Sequence, residues 1–366
     1  MKEDNSQGSL SRRKFIGTST AAAAAIVVLP VASCASPAGE EKVSKASFGS
    51  KFSGVQIGAI TYSWRDQPSG AEQVLQYCKD AGISSIELMG DVVEAYAGLP
   101  PTPTELPEKL NEAQQARADG LTKQYKMTLE DFKKTVEKNV WPMIVSYVIG
   151  TTDEQVKWRL SVPMTKFEEL RKMYNDAGVE IHIAKMQPSS LSDGEIDYAF
   201  KVAKALGAKG ITDESGLDTA KKLAPFAEKH GMYAVMHNHF QFADPKFNVD
   251  EILAVSKSIM LNFDCGHYFG STGLNPADFI KKYHERIYTL HIKDKTGPKT
   301  TPPNENQVWG QGETPLAKVL LLLKEHSKEE GWPKYADIEL EYPVAKWSDS
   351  VKEVGKCVAY ARQILI

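Results

Sequence analysis

Lys229-His230-Gly231-Met232-Tyr233-Ala234-Val235-Met236-His237-Asn238-His239 carries the architecture of the chain in one short run. A helix end stops at a glycine, an apolar strand follows, and the strand finishes in histidines. Glycine just past the last helical residue is a common helix stop, because it accepts a left-handed backbone without a Cβ clash. The junction recurs as Asp80-Ala81-Gly82-Ile83 and Asp176-Ala177-Gly178-Val179. Outward from it, from Val55 on, short β-rich runs alternate with amphipathic helices. The expected strands are Val55–Thr61, Ser85–Met89, Val179–Lys185, Gly210–Asp213, Tyr233–His237, Met260–Asp264, Tyr288–Ile292 and Ala336–Glu341. Their strongly apolar character marks parallel strands covered on both faces.

The helices between them carry start and stop signals. Asn275-Pro276 and Thr314-Pro315 each set a capping side chain before a proline at the first helical position. Asn248-x-x-Glu251 has the form of a capping box, and Gly207 is placed to end the helix through Ile196, Ala199, Phe200, Ala203 and Leu206. Eight βα units in about three hundred residues predict an α/β fold of the closed (β/α)8 type, a TIM barrel over 51–366. An open doubly wound sheet lacks its usual support here, since no GxGxxG follows the first strand. The stretch from Leu99 to about Val162 is too long for a βα connection. It reads as a helical insertion after strand two, with helix-like segments at Leu106–Ala118 and Thr128–Lys138. It is either a cover over the active site or a packing or oligomer decoration.

The N-terminus reads as an address. Ser11-Arg12-Arg13-Lys14-Phe15-Ile16 precedes an apolar run from Ala21 to Val31, the form of a twin-arginine export signal. That run is too short to span a bilayer permanently. Val31-Ala32-Ser33-Cys34 resembles a lipobox, which would make Cys34 a lipidated mature N-terminus; the alternative is a plain cleavage near Ala32 or Ala35. Residues 35–50, rich in Ser, Ala and Gly, read as a flexible tether. The expected location is the periplasm or cell envelope, with membrane attachment only through a lipid anchor. Net charge is -3, so no basic excess draws nucleic acid. Cys78, Cys265 and Cys357 lack paired spacing and do not read as a disulfide framework.

Chemistry in such barrels sits where strands end. The later strand ends here are Thr212-Asp213-Glu214, Val235-Met236-His237-Asn238-His239, Asn262-Phe263-Asp264-Cys265-Gly266-His267, Leu290-His291-Ile292-Lys293-Asp294 and Ile338-Glu339-Leu340-Glu341-Tyr342. Strand alternation puts His237 with His239, His291 with Lys293, and Glu339 with Glu341 on one face each. Their apolar neighbours then face the helices. One inward His or Glu is ordinarily a satisfied core residue. Charges converging from four neighbouring strands carry a large desolvation cost, which a divalent cation removes. Imidazole plus carboxylate is an ordinary ligand set for manganese, cobalt, zinc or magnesium.

At these residues the chain resembles the xylose isomerase-like superfamily of sugar isomerases and epimerases, over roughly Val55 to Ile366. The resemblance rests on Phe263–His267 (FDCGH), Leu290–Asp294 (LHIKD), Gly310–Leu316 (GQGETPL) and Ile338–Tyr342 (IELEY), in that order. It implies a divalent metal, manganese first, held by Asp264, His291 and Glu341, with His237 where the family usually carries a glutamate. Glu341 is preferred to Glu339 because an aromatic residue follows it; Glu339 is the fallback. The resemblance makes His267 a substrate contact. Lys293 is either a substrate contact or the partner of Glu339 or Glu341. Glu87 faces the same end, as a substrate contact or a buried ion pair. Trp64 and Trp309 are either sugar-stacking residues or loop packing.

The implied chemistry is proton removal from the carbon beside a carbonyl, with the metal as Lewis acid. The expected activity is sugar isomerisation or epimerisation through an enediolate, on an unphosphorylated keto sugar or derivative. With histidine at 237 one family base is missing, which raises the alternative, a dehydratase or hydratase of a keto sugar, a keto-glycoside product or an inosose. Glu341 is the expected ligand and base, and Glu214 or His239 the second acid/base. A different class, a non-catalytic sugar-binding lipoprotein, needs no complete metal set. The partner is a small carbohydrate, with a homo-oligomer possible and no nucleic acid.

Overall fold

The computed structural model describes residues 49–136 and 141–366. The export signal, Cys34 and nearly all of the tether lie outside the described residues. Contacts cluster into two units, one of residues 47–99 with 158–366 and one containing residues 100–157.

The larger unit is a closed barrel of eight parallel strands. They are β1 Val55–Ile60, β2 Ser85–Met89, β3 Glu180–Lys185, β4 Gly210–Glu214, β5 Tyr233–His237, β6 Ile259–Asp264, β7 Ile287–Ile292 and β8 Tyr335–Ile338. Each pairs in parallel with the next, and β8 pairs with β1 to close the ring. The strands start within one residue of the expected positions. The exception at the far end is β8, whose ladder stops at Ile338 instead of continuing to Glu341. There the backbone turns to other partners: Leu340 N donates to Ser63 Oγ at 3.0 Å, and Arg65 reaches the Leu340 carbonyl.

Apolar side chains on the outer strand faces pack under the helices and form one continuous core, with Ile86, Leu88, Met236, Phe263, Ile292 and Ile338 all buried. The helix signals act largely as read. Asn275 caps Pro276–Tyr283, and Asn248 accepts from the Asp250 and Glu251 amides. Thr314-Pro315 differs. The helix there is Leu316–Glu325, Pro315 occupies the capping position, and the Thr314 hydroxyl accepts from the Lys295 amide instead.

The second unit holds the helices Glu112–Tyr125, Leu129–Thr135 and Trp141–Ile149. The first begins at Glu112 and not at Leu106, because Asn111 and Gln114 close a reciprocal capping box. Thr128 and Asp131 do the same for the second. Ala118, Leu121, Phe132, Val136, Ile144 and Val148 give this unit a small core of its own. Among the described residues, no helix is long and apolar enough to cross a membrane.

Candidate active site

The inward side chains stack in layers. In an eight-stranded barrel with a shear of eight, alternate strands contribute to one level, and two strands along means two residues up. Following the ladder from β5 to β7, His237 pairs with Asn262 and Asn262 with Thr289, which puts His291 level with His237. The same step from β6 to β8 runs from Asp264 through His291 and Asp337, which puts Glu339 level with Asp264. The two histidines therefore form one tier and the two carboxylates the tier above.

His237, Asp264, His291 and Glu339 are all buried, and their ligand atoms lie within 4.8 Å of one another. His237 Nε2 is 3.6 Å from Asp264 Oδ2 and 3.8 Å from Glu339 Oε2. Neither ring nitrogen of His237 has a hydrogen-bond partner. A buried imidazole without partners is costly, and its neighbours are ligand atoms at distances a small cation would bridge. The donor set of two imidazoles and two carboxylates fits a divalent metal.

Glu341 is not in this group. Its side chain is 19% exposed against 5% for Glu339, and it stands a tier higher, where Lys293 Nζ holds it at 2.8 Å. The candidate group takes in Glu339, the fallback, in place of Glu341: both glutamates share a face, but only Glu339 reaches the depth of Asp264. Lys293 is buried and also touches Asp264 Oδ2 at 3.0 Å and Glu339 Oε2 at 2.8 Å. Burial disfavours its ammonium, but those carboxylates outweigh burial and hold its pKa well above the usual lysine value. The salt bridge and the substrate contact are thus not exclusive for Lys293.

His291 shows how the site is braced. Its Nδ1 faces the group, 2.7 Å from Glu339 Oε2, and its Nε2 is 2.6 Å from Glu87 Oε2. Asn262 Nδ2 donates to the same Glu87 oxygen at 2.9 Å. A carboxylate behind a ligating histidine fixes its tautomer and orientation. Glu87 is fully buried beneath the mouth and bonded to His291, which fits the buried ion pair of the two expected roles. Burial pushes the Glu87 carboxyl up, but His291 pulls it further down, to about 2. Burial pushes His291 down, and Glu339 and Glu87 more than reverse this, raising it to about 10.

Above the tiers lies a ring of acid–base groups. His267 Nε2 is 2.8 Å from Lys293 Nζ. Since the ammonium must donate, Nε2 accepts and the proton sits on Nδ1, which has no partner. Burial first, then Lys293, holds the His267 pKa well below the usual value, so the ring is neutral. On the other side, His239 Nδ1 is 2.9 Å from Glu214 Oε2. Burial opposes ionisation of Glu214, but His237 and His239 outweigh it. The His239 and His267 rings are 4.9 Å apart, so the two halves of the ring meet.

The two tryptophans are packing residues. Trp64 is 2% exposed and packs against Tyr77; Trp309 is 7% exposed and packs edge-on to Tyr360. The aromatic group at the mouth is Phe240, 51% exposed, with its ring edge-on to His267 at 5.0 Å. Its signal was its place, directly after the His-Asn-His strand end. Lys295 is the second residue the sequence reading missed. It is buried, bonded to Asn306 Oδ1 at 2.8 Å, and lowered to about 8 by burial and by Lys293.

A closed parallel barrel with a buried His/Asp/Glu group at the carboxyl ends of its strands defines a class of barrel enzymes that work from that face. The family model described as Xylose isomerase-like TIM barrel matches residues 212–357 of the chain. An inosose dehydratase of Clostridium beijerinckii is 28% identical over 190 residues, 46% of this chain and 61% of the relative. An inosose dehydratase of Clostridium botulinum is 36% identical over 76 residues, 20% of this chain and 25% of the relative. The chain thus aligns with less than two thirds of either curated relative. A solved sugar phosphate isomerase/epimerase of Parabacteroides distasonis superposes with a TM-score of 0.51 at 16% identity, covering 89% of this chain and 99% of that one. The superposition shows the shared barrel fold, and the family match falls on its later strands.

Proposed function

We propose that the protein is a divalent-metal-dependent carbon–oxygen lyase, a dehydratase or hydratase acting on an unphosphorylated keto sugar, keto-glycoside product or inosose. The observation that carries this reading is the division of the mouth. Glu341 is a carboxylate outside the metal group on one side, and a His239–Glu214 pair faces it on the other. Position 237, where a second metal-binding carboxylate base would serve epimerisation, is a histidine with Nε2 toward buried Asp264 and Nδ1 toward Glu214.

His237, Asp264, His291 and Glu339 would hold the metal, manganese in the first instance, with magnesium, cobalt or zinc as alternatives. When bound, the ion supplies Lewis-acid polarisation of a hydroxy-carbonyl pair. Glu341 takes the proton from the carbon beside the carbonyl, and the released electron pair forms the new carbon–carbon double bond. The β-hydroxyl leaves as water with a proton from His239, which Glu214 orients. The His267 Nδ1–H and the Lys293 ammonium donate to the substrate oxygens. Phe240 covers the apolar face of the ring.

Isomerisation or epimerisation is the second reading, favoured by the same two-sided arrangement, since a proton taken at one side can return from the other. Turnover of inososes and keto-glycosides in deuterated water separates them. The lyase loses or adds one water per turnover, with a double bond in one of the two partners. Deuterium at the α-carbon without change in water content would replace it by the isomerase/epimerase. We further propose export by the twin-arginine route with Cys34 as lipid anchor, resting on Arg12-Arg13 and Val31–Cys34. Mass spectrometry of the mature N-terminus checks this, and an unmodified Cys34 would contradict it.

A further inference from the structure

We propose that the barrel encloses a second cation site on its axis, beneath the catalytic group, in which oxygens of Glu87, Thr212, Asn262 and Asp337 bind a hard, oxygen-preferring cation of the sodium or magnesium kind. The register brings these four together. Thr212 pairs with Val235 and Val235 with Met260, so two residues up on β6 is Asn262. Asn262 pairs with Thr289 and Thr289 with Tyr335, so two up on β8 is Asp337. Asp337 pairs with Gly58, one residue before the Ala59–Ile86 pair, so two up on β2 is Glu87. They form one four-residue tier from alternate strands, just below His237 and His291.

Every member is buried, and every member has one oxygen without a hydrogen-bond partner: Glu87 Oε1, Thr212 Oγ1, Asn262 Oδ1 and Asp337 Oδ1. The remaining polar atoms of the three larger side chains are tied down. Glu87 Oε2 takes His291 and Asn262, and Asp337 Oδ2 takes His182 at 2.9 Å and Thr289 at 2.7 Å. The ligand atoms of Glu87 and Asp337 lie within 4.8 Å of one another, with His291 in the same group. Gly58 gives the Asp337 carboxylate its room, since a Cβ there would stand 2.0 Å from Oδ1.

The lining of four bare oxygens, two of them from carboxylates, favours a cation. Three of the four bare oxygens only accept, and Thr212 has a single proton to give. One water's two protons and that of Thr212 would just match the three acceptors, so water is the competing occupant and charge is what separates the two. Two carboxylates in a dry tier add charge that water does not neutralise, and His291 no longer balances Glu87 once its imidazole is neutral and ligates a metal. A hard cation engages all four oxygens at once. Nitrogen ligands are absent from the four, which separates this tier from the imidazole-bearing group above it.

Thr212→Val tests the site, because the Thr212 hydroxyl makes no other bond and the shape is nearly kept. Thermal unfolding of the chelator-treated full chain is followed against sodium chloride and, separately, magnesium chloride, with choline chloride as the control for ionic strength. The expected result is a wild-type midpoint that rises with one of the two ions. Thr212→Val should unfold at a lower temperature in that ion and need at least tenfold more of it, and Thr212→Ser should restore the response. If neither ion exceeds choline, the tier holds water only and the proposal fails. It also fails if Thr212→Val responds like the wild type, or unfolds higher by losing a bare buried hydroxyl. Were Thr212→Val not to fold, Thr212→Ala takes its place under the same expectations, since magnesium in the catalytic group could also raise the wild-type midpoint.

Discussion

The two halves of the barrel are built to different ends. Strands β1 to β3 finish in Ile60, Met89 and Lys185, and supply braces such as Glu87. Strands β5 to β8 and the residues just past them supply His237, Asp264, His291 and Glu339, with Glu214 of β4 alongside. The family match, residues 212–357, covers the second half and leaves the first. The difference teaches that one half presents reactive groups and the other holds them still, through contacts that cross the axis such as Glu87 to His291.

The largest effect should come from exchanging a side chain in each half. His237→Ala should lose the divalent ion and lower turnover by about 10³-fold. The fold should survive, since neither ring nitrogen is bonded to the protein. Leu88→Ala, in the apolar early half, should instead cost about 2–5 kcal/mol of stability and leave the turnover of folded protein unchanged. Unfolding curves and initial rates on both variants check this; a fully active His237→Ala would break the division.

The brace across the axis ranks next. Glu87→Gln should weaken divalent metal affinity by about 10- to 100-fold, read by titration calorimetry. In metal-free protein the same pair sets a pH window. Glu87 is depressed from 4.5 to about 2, so its contribution is present above 4.5 and lost as pH falls toward 2. His291 is raised from 6.5 to about 10, so its contribution is full below 6.5 and lost as pH rises through 10. Unfolding midpoints should therefore peak between pH 4.5 and 6.5, and Glu87→Gln should flatten both limbs. A wild-type profile without that peak would show that the pair is not coupled.

Smaller effects separate the aromatic residues. Phe240→Ala should raise KM by about three- to tenfold with little change in unfolding temperature, the scale of one ring contact. Trp309→Ala should act the opposite way, costing about 3–5 kcal/mol of stability with KM unchanged. A KM effect from Trp309 would return it to the substrate surface.

Much of this was legible before the fold was seen. Period and glycine stops located eight strands, because apolar runs and left-handed caps are local properties. The imidazoles and Asp264 were legible because they end regular strands. Glu339 against Glu341 was not, because both share a strand face and depth depends on the stagger of β8 against β6. The aromatic residues stayed open between stacking and packing for a related reason: exposure is set by the loop's path, which places Trp64 and Trp309 inside and Phe240 outside. The tier of Glu87, Thr212, Asn262 and Asp337 is invisible locally, since its members come from four strands and only the register unites them.

The proposed chemistry turns on which glutamate would hold the metal. Metal analysis of purified wild type, Glu339→Gln and Glu341→Gln, each loaded with manganese and dialysed, tests it most directly. Wild type and Glu341→Gln should each retain one equivalent of manganese, the second with impaired turnover, and Glu339→Gln should retain none. Manganese kept by Glu339→Gln and lost by Glu341→Gln, or kept by none of the three, would contradict the assignment.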